Sequence, residues 1–224
     1  MGDALGDGLP LMIGVALSPV PMIAAILMLL SPRARATAPA FLLGWVLGLA
    51  IILTAATALS SVLPQADQEG PRPVIGVIKI VLALALLLLA IRRWKSRPAP
   101  GESAPLPRWM DSINGLGVLR AVLLGAILAV NPKNLVLVLS AGLAIGTAGA
   151  LSTGEVVTAV VVLTVIGSLT ILVPVVGYLF AANRLAGTLE QLRIWLTQNN
   201  AAIMATLLLV FAFVLLGKGI ASFS

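Results

Sequence analysis

Four consecutive residues combine a positive charge, a helix-breaking ring and two carboxamides: Asn131, Pro132, Lys133 and Asn134. They lie inside an apolar run, residues 121–150, in which Lys133 is the only charge. An ammonium group at the centre of a bilayer costs about 2.5–3.5 kcal/mol on insertion scales. Pro132 cannot donate a backbone hydrogen bond, and it disfavours a helical conformation of the residue before it. A charge and a break at one membrane depth predict a site that binds a polar or anionic group.

A structural role for Lys133 is the alternative interpretation, in which the helix is kinked and the ammonium group faces a carbonyl cluster on a neighbouring helix. Snorkelling to the membrane surface is disfavoured, because the ends of the apolar run lie roughly 16 Å or more away and a lysine stem is much shorter. Because charge, break and amides coincide, the pattern favours the functional interpretation, with Asn131 and Asn134 as hydrogen-bonding residues of the site.

The composition predicts an all-α integral membrane protein. Of its 224 residues, 60% are hydrophobic and only 10% are charged, which no soluble domain of this size resembles. The chain has no cysteine and no histidine, which excludes disulfides, thiolate metal sites and the commonest transition-metal ligand. The sequence contains no visible nucleophile–base pair or metal set, so we expect no enzymatic activity, no cofactor and no metal.

Six apolar stretches are predicted to span the membrane, at residues 9–30, 36–63, 73–91, 119–145, 156–181 and 197–217. Their lengths are close to the ~20 residues that a bilayer core requires. Prolines are predicted to break or gate three of these helices: Pro19 and Pro21 in the first, Pro132 in the fourth and Pro174 in the fifth. In the second, Gly44 and Gly48 form a GxxxG pattern, which is typical of close helix packing, either inside the chain or between two copies.

A basic, proline-rich loop divides the chain into two halves of three spans each, so the predicted organisation is 1–94, loop 95–117 and 118–224. An odd number of spans inverts the second half relative to the first. The breaks correspond, since a proline follows Ser18 in the first helix and Asn131 in the fourth. Interrupted helices at corresponding positions of two inverted repeats are the best sequence indication of a transporter site. We therefore predict that Ser18 joins Lys133 in a site near the bilayer midplane.

The positive charges predict the orientation. Ten of the 14 Lys and Arg residues lie in the three loops of one side, which is therefore predicted to be cytoplasmic. These ten are Arg33, Arg35, Arg92, Arg93, Lys95, Arg97, Arg108, Arg120, Arg184 and Arg193. Six spans then place both termini outside. The net charge of +6 thus indicates topology and not nucleic-acid binding, and Trp94 and Trp109 are expected at an interface with anionic membrane lipids.

Two motifs resemble the lysine exporter superfamily. Pro19-Val20-Pro21 is followed by Ser-Pro-Arg and a glycine-rich second helix, and the fourth helix carries Asn131-Pro132-Lys133. Members usually have Pro-Gly-Pro in the first motif and Asn-Pro-Lys-Ala in the second, where this chain has Val20 and Asn134. The overall pattern is closer to the actinobacterial GAP branch, the glycolipid- and peptidoglycolipid-addressing proteins, which include a sulfolipid-addressing protein.

This resemblance implies a multi-pass protein of the bacterial inner membrane that assists the export of cell-envelope glycolipids or peptidoglycolipids, beside a lipid exporter of the resistance-nodulation class. The unpaired cation itself favours an anionic group, because no Asp or Glu lies inside any predicted span. Two alternatives remain open: an exporter of amino acids or other small metabolites, and a non-transporting scaffold for a lipid export complex. A homodimer is compatible with each of them.

Overall fold

The computed structural model describes residues 1–62, 73–97, 113, 115–146, 148, 149 and 151–223, and these residues form helices and no strands. The helices are α1 (Gly2–Ala16), α2 (Pro19–Leu29), α3 (Ala34–Val62), α4 (Pro73–Lys95), α5 (Val118–Ala129), α6 (Pro132–Gly146), α7 (Thr153–Ile220) and a 3-10 helix (Ala221–Phe223). Most of the basic loop predicted at 95–117, including Trp109, lies outside the described residues.

Several of these helices are suited to a membrane. Within the described residues, three segments are long and apolar enough to cross it: Ala34–Ser60, Thr153–Ala181 and Arg184–Gly217. The total is five if two bent helix pairs each count as one span. In these pairs α1 meets α2 at 53° and α5 meets α6 at 69°. Both bends lie where the sequence predicts proline-broken helices, and α4 lies at the position predicted for a further span.

The first helix is longer than the sequence predicts. It begins at Gly2 and not near residue 9, so Asp3 and Asp7 lie on its first two turns. Both side chains are exposed, and carboxylates near a helix amino terminus interact favourably with the positive end of the helix dipole. The apolar stretch marks only part of this helix, because polar residues before it are helical as well.

The stretch predicted as a loop around Arg184 and Arg193 is instead helical. It belongs to α7, which continues through Pro174 without the break predicted there and departs from helical geometry at Ala181 (φ −141°, ψ 40°). Glu190 and Arg193 form an ion pair one turn apart, which suits a helix. The charges of this segment show that it is polar. They do not show that it is a loop, because Arg, Glu, Gln and Leu are all good helix formers.

Contacts divide the chain into two units, residues 1–64 with 106–194, and residues 65–105 with 195–224. In the first unit, α3 packs along α5 and α6, α1 packs along α6, and α2 packs on α3. A fully buried stripe runs down α3 at every fourth residue: Phe41, Trp45, Leu49 and Leu53. In the second unit, α4 contacts the 3-10 helix. Each unit contains helices of both predicted halves.

Glycines allow α3 to approach α5 closely. A Cβ atom at Gly44 would overlap the carbonyl group of Val122, and one at Gly48 would lie 2.8 Å from the Cβ atom of Ala129. In return, Gly125 of α5 faces the backbone of α3. The structure therefore places the predicted GxxxG pair in a helix contact inside the protomer.

A second GxxxG pattern, which the sequence analysis did not single out, joins α3 to α6. A Cβ atom at Gly142 would lie 2.7 Å from the carbonyl oxygen of Leu53, and one at Gly146 would overlap the Ser60 side chain. The hydroxyl of Thr57 donates to the carbonyl of Gly142 (3.1 Å) as well as to that of Leu53 (2.8 Å). These contacts hold α6, and with it the second break, against the central helix.

Candidate functional site

The first break consists of Leu17 and Ser18, between the end of α1 and the start of α2. Ser18 is the extended N-cap residue of α2 (φ −85°, ψ 109°), and Pro19 follows at the first helical position, where a missing N–H costs no helical hydrogen bond. Pro19 and Pro21 are both buried in this turn. The break leaves the last carbonyls of α1 in need of donors other than a continuing helix.

The second break is organised by the side chain of Asn131. Its amide donates to the carbonyl of Leu128 (2.9 Å), and its oxygen accepts from the backbone N–H of Asn134 (3.1 Å). Asn131 thereby caps both helix ends at the bend, the carboxyl end of α5 and the amino end of α6. Pro132 occupies the start of α6, as Pro19 does in α2. The Asn131 carboxamide therefore supplies hydrogen bonds that the interrupted helix cannot make.

The two breaks meet in space. The hydroxyl of Ser18 donates to the side-chain oxygen of Asn134 (2.8 Å), across 116 residues of sequence. Both residues are buried, Ser18 at 4% exposure and Asn134 at 0%. The Asn134 amide also donates to the carbonyl of Leu128 (3.3 Å). The two breaks thus share one buried polar junction.

Lys133 points from α6 to the end of α1. Its ammonium group donates to the carbonyl of Gly14 (3.0 Å), in the last turn of α1. The carboxyl end of a helix carries partial negative charge, which stabilises a cation there. This contact is the one expected if Lys133 has a structural role. It is also compatible with binding of a ligand by Lys133, because an ammonium group has three hydrogens and this bond uses one. No carboxylate among the described residues forms an ion pair with Lys133.

Thr170 is a site residue that the sequence analysis did not predict. From α7, its hydroxyl donates to the carbonyl of Ala16, the final residue of α1 (2.6 Å). The end of α1 is therefore completed by side chains of two other helices, Lys133 of α6 and Thr170 of α7. A usable sequence signal existed, since Pro174 four residues later cannot donate to the Thr170 carbonyl and so marks a polar locus in an apolar span.

The predicted site residues do not all come together. Ser18, Lys133, Asn131 and Asn134 form one cluster with the ends of α1 and α5. Gly44 and Gly48 lie in the packing contact of α3, and Pro174 lies one turn beyond Thr170 in α7. An open crevice of about 590 Å³ borders the cluster at the second bend, where its lining residues lie between 126 and 132 and include Asn131 and Pro132.

The chemistry of this cluster suits an anionic or polar ligand. It offers an ammonium group, two carboxamides and two hydroxyls, and no nucleophile beside a base. Among the described residues, no group of three His, Cys, Asp or Glu side chains is placed to hold a metal ion. The ammonium group, the carboxamides and the hydroxyls are groups that form hydrogen bonds with an anionic or polar headgroup.

The junction between the breaks makes a testable contribution to stability. Ser18→Ala is expected to cost about 1–3 kcal/mol of unfolding free energy, because it leaves a buried acceptor of Asn134 without its donor. In an Asn134→Ala background the same change is expected to cost about 1 kcal/mol less. Unfolding of the purified protein in mixed detergent micelles measures both values. The matched control is Ser140→Ala on α6, whose hydroxyl bonds only within its own helix; equal costs for Ser18→Ala in both backgrounds would contradict the coupling.

Comparison with protein families gives one match. A family model described as Sap, sulfolipid-1-addressing protein, matches residues 9–221, which covers both breaks and every residue of the cluster. No curated protein and no solved structure matches the chain.

Proposed function

Because the chain belongs to the family described as Sap, sulfolipid-1-addressing protein, we propose that it assists the export of cell-envelope glycolipids or peptidoglycolipids across the inner membrane. Its substrate site is the cluster of Lys133, Asn131, Asn134 and Ser18. We also propose, from the Pro19-Val20-Pro21 and Asn131-Pro132-Lys133 motifs, that this family is a GAP branch of the lysine exporter superfamily.

The observation that carries this proposal is the meeting of the two breaks. The Ser18–Asn134 hydrogen bond of 2.8 Å joins two interrupted helices, and the Lys133 ammonium lies at the carboxyl end of α1, one of their segments. A break that served only to bend one helix would not require a polar partner from the other. Broken helices that meet around a charge are the usual construction of a transporter binding site.

Lys133 is assigned to the lipid headgroup. A sulfated or otherwise anionic headgroup accepts the ammonium hydrogens that Gly14 does not use, and the carboxamide of Asn131, which lines the open crevice, binds a neutral hydroxyl of a sugar. The buried Asn134 and Ser18 hold the two breaks of the site together. The crevice gives the apolar part of an amphipathic substrate a route along the bend. Because the cluster lacks carboxylates, export of a simple cation is disfavoured, whereas a zwitterion can offer its carboxylate.

The proposed topology has six spans in two inverted repeats, with the basic loop on the cytoplasmic side and both termini outside. The chain has no cysteine, so single cysteines can be labelled without a prior background change. A cysteine at Ser103 is expected to be shielded from a membrane-impermeant maleimide in intact cells, and one at Ser152 to be accessible. Labelling in lysed cells is the control, and the reverse pattern of protection would contradict the topology.

A deletion strain provides the direct test of function. Loss of the protein is expected to remove a surface glycolipid, because the lipid is made but not carried outward. Thin-layer profiles of surface-extracted and total lipid measure this, and the missing lipid is expected to accumulate inside the cell. A normal profile with altered amino-acid tolerance would favour a small-metabolite exporter.

Binding to a partner exporter distinguishes the transport proposal from the scaffold alternative. If a resistance-nodulation-type exporter carries the lipid, the Lys133→Gln protein retains its binding to that exporter under the transport proposal. A scaffold would tolerate Lys133→Gln and would lose lipid export only when binding to the exporter is lost. Co-purification of the two proteins, measured beside the lipid profile, distinguishes these outcomes.

A further inference from the structure

The second unit contains a cavity that the proposed transport site does not use. It has a volume of about 210 Å³ and lies between the carboxyl end of α4 and the carboxyl-terminal part of α7. Its lining includes Ala90, Ile91, Trp94 and Lys95 of α4, with Thr206 and Leu209 of α7. The Thr206 hydroxyl already donates to the carbonyl of Ala202 (3.0 Å). The cavity therefore offers apolar walls and a single charged group at its edge.

Four cations, here called the cationic rim, lie at the carboxyl end of α4 and just beyond it, and one of them, Lys95, lines the cavity. Arg92, Arg93, Lys95 and Arg97 are all exposed. Arg97 stacks on the Trp94 ring, 3.3 Å from its centroid, and donates to the Trp94 carbonyl (3.0 Å). The described parts of this unit, residues 73–97 and 195–223, contain no Asp or Glu. These charges are thus not neutralised by any carboxylate in the described part of the unit.

An apolar cavity beside a cationic rim matches the two parts of an anionic lipid. Free phosphate would contact only the rim and leave the cavity empty. An anionic lipid would place its headgroup at the rim and an acyl chain in the cavity. Arg92 and Lys95 are one turn apart on one helix face, and Trp94 is a residue type that anchors at the membrane interface. The volume is below the ~300–1,000 Å³ of sites that enclose a whole small ligand, so it suits part of one acyl chain.

We propose that this cavity is a binding site for an anionic phospholipid of the surrounding bilayer. Lys95 and Arg92 hold the phosphate, and a segment of one acyl chain lies between Ile91 and Leu209. Arg97 is kept beside the rim by its stacking on Trp94. The proposal does not depend on what the protein transports, because none of these residues belongs to the cluster around Lys133.

Native mass spectrometry of the delipidated full-length protein tests this site. Titration with phosphatidylglycerol is expected to give a tightly retained one-to-one complex, and titration with phosphatidylcholine is not. The combined change Arg92→Gln and Lys95→Gln is expected to weaken retention of phosphatidylglycerol roughly 10- to 30-fold, because each cation near an anionic membrane surface contributes about a fivefold factor. Leu209→Trp, which fills the cavity without removing charge, is expected to weaken retention as well.

Matched controls make the outcome decisive. Arg33→Gln with Arg35→Gln removes the same charge from the first unit, and Val210→Trp adds the same ring next to the cavity-lining position; both are expected to retain the lipid. The proposal is overturned if the parent protein retains both lipids equally, or if the two double variants lose phosphatidylglycerol to the same extent. Circular dichroism and gel filtration confirm that each variant is folded before its lipid binding is compared.

Discussion

Replacing Lys133 with glutamine is expected to abolish lipid export while the protein remains folded in the membrane. The change removes the only charge of the cluster, and a hydrogen bond to a charged group contributes about 1.5–3 kcal/mol, which corresponds to a roughly 10- to 150-fold loss in headgroup affinity. Insertion is not expected to suffer, because burying a glutamine in a bilayer is less costly than burying an ammonium group. Export per molecule of membrane-inserted protein, measured by surface lipid extraction and immunoblot, checks this result.

Two further variants separate binding from support of the fold. Lys133→Arg keeps the charge, and it is expected to retain part of the export activity, although the guanidinium has a different geometry at the Gly14 carbonyl. Lys79→Gln is the matched control, because Lys79 lies only six residues after Pro73, the first residue of α4, roughly 9 Å along the helix, where a lysine stem can reach the membrane surface. If Lys133→Gln lowers export only in proportion to the amount of protein in the membrane, Lys133 serves the fold through Gly14 and the substrate site must lie elsewhere.

Gly44→Ala is expected to destabilise the protein by about 3 kcal/mol. The added Cβ atom would overlap the carbonyl group of Val122, and this obstacle is backbone that cannot rotate away. Overpacking typically costs about 1–3 kcal/mol, and a backbone obstacle places this position at the upper end or beyond. Because α5 carries the second break, we also expect loss of export. Thermal unfolding in detergent micelles and the lipid profile measure the two effects.

The matched control for this substitution is expected to have the opposite sign. Gly187→Ala adds the same methyl group to a helical position of α7 that has open space around it, and alanine is favoured over glycine in a helix by about 1 kcal/mol. A small gain in stability is therefore expected. If Gly44→Ala were equally harmless but abolished an oligomer in crosslinking experiments, the glycine pair would belong to an interface between copies instead of the contact with α5.

Much of the local structure was predictable from the sequence. The membrane class, the apolar helices and the two breaks depend on properties of neighbouring residues, namely their hydrophobicity and the inability of Pro19 and Pro132 to continue a helix. The predicted helix boundaries were wrong where polar residues are part of a helix. Asp3 and Asp7 marked the start of the chain as polar, yet a polar segment can be helical, and the same applies to the charged stretch around Glu190.

The arrangement of the site was only partly predictable. The sequence predicts that Ser18, Asn131, Lys133 and Asn134 act together. Hydrogen bonds join Ser18, Asn134 and Asn131, whereas Lys133 donates to the carbonyl of Gly14. Thr170, which contacts the end of α1 from another helix, was not among the predicted residues. Threonine occurs often in membrane helices for packing reasons, so its type alone does not distinguish the residue that completes a helix end.

Sequence alone determined that this is a membrane protein of helices, that two of its helices are interrupted, and that one ammonium group is stranded beside an interruption. These follow from transfer energies and backbone constraints that act over a few residues. Only the tertiary structure decided that Ser18 meets Asn134 and that Lys133 faces the carbonyl end of α1. Those pairings depend on how α3, α5 and α6 approach one another through their glycines, and close packing between distant segments leaves no mark in the residues next to the site.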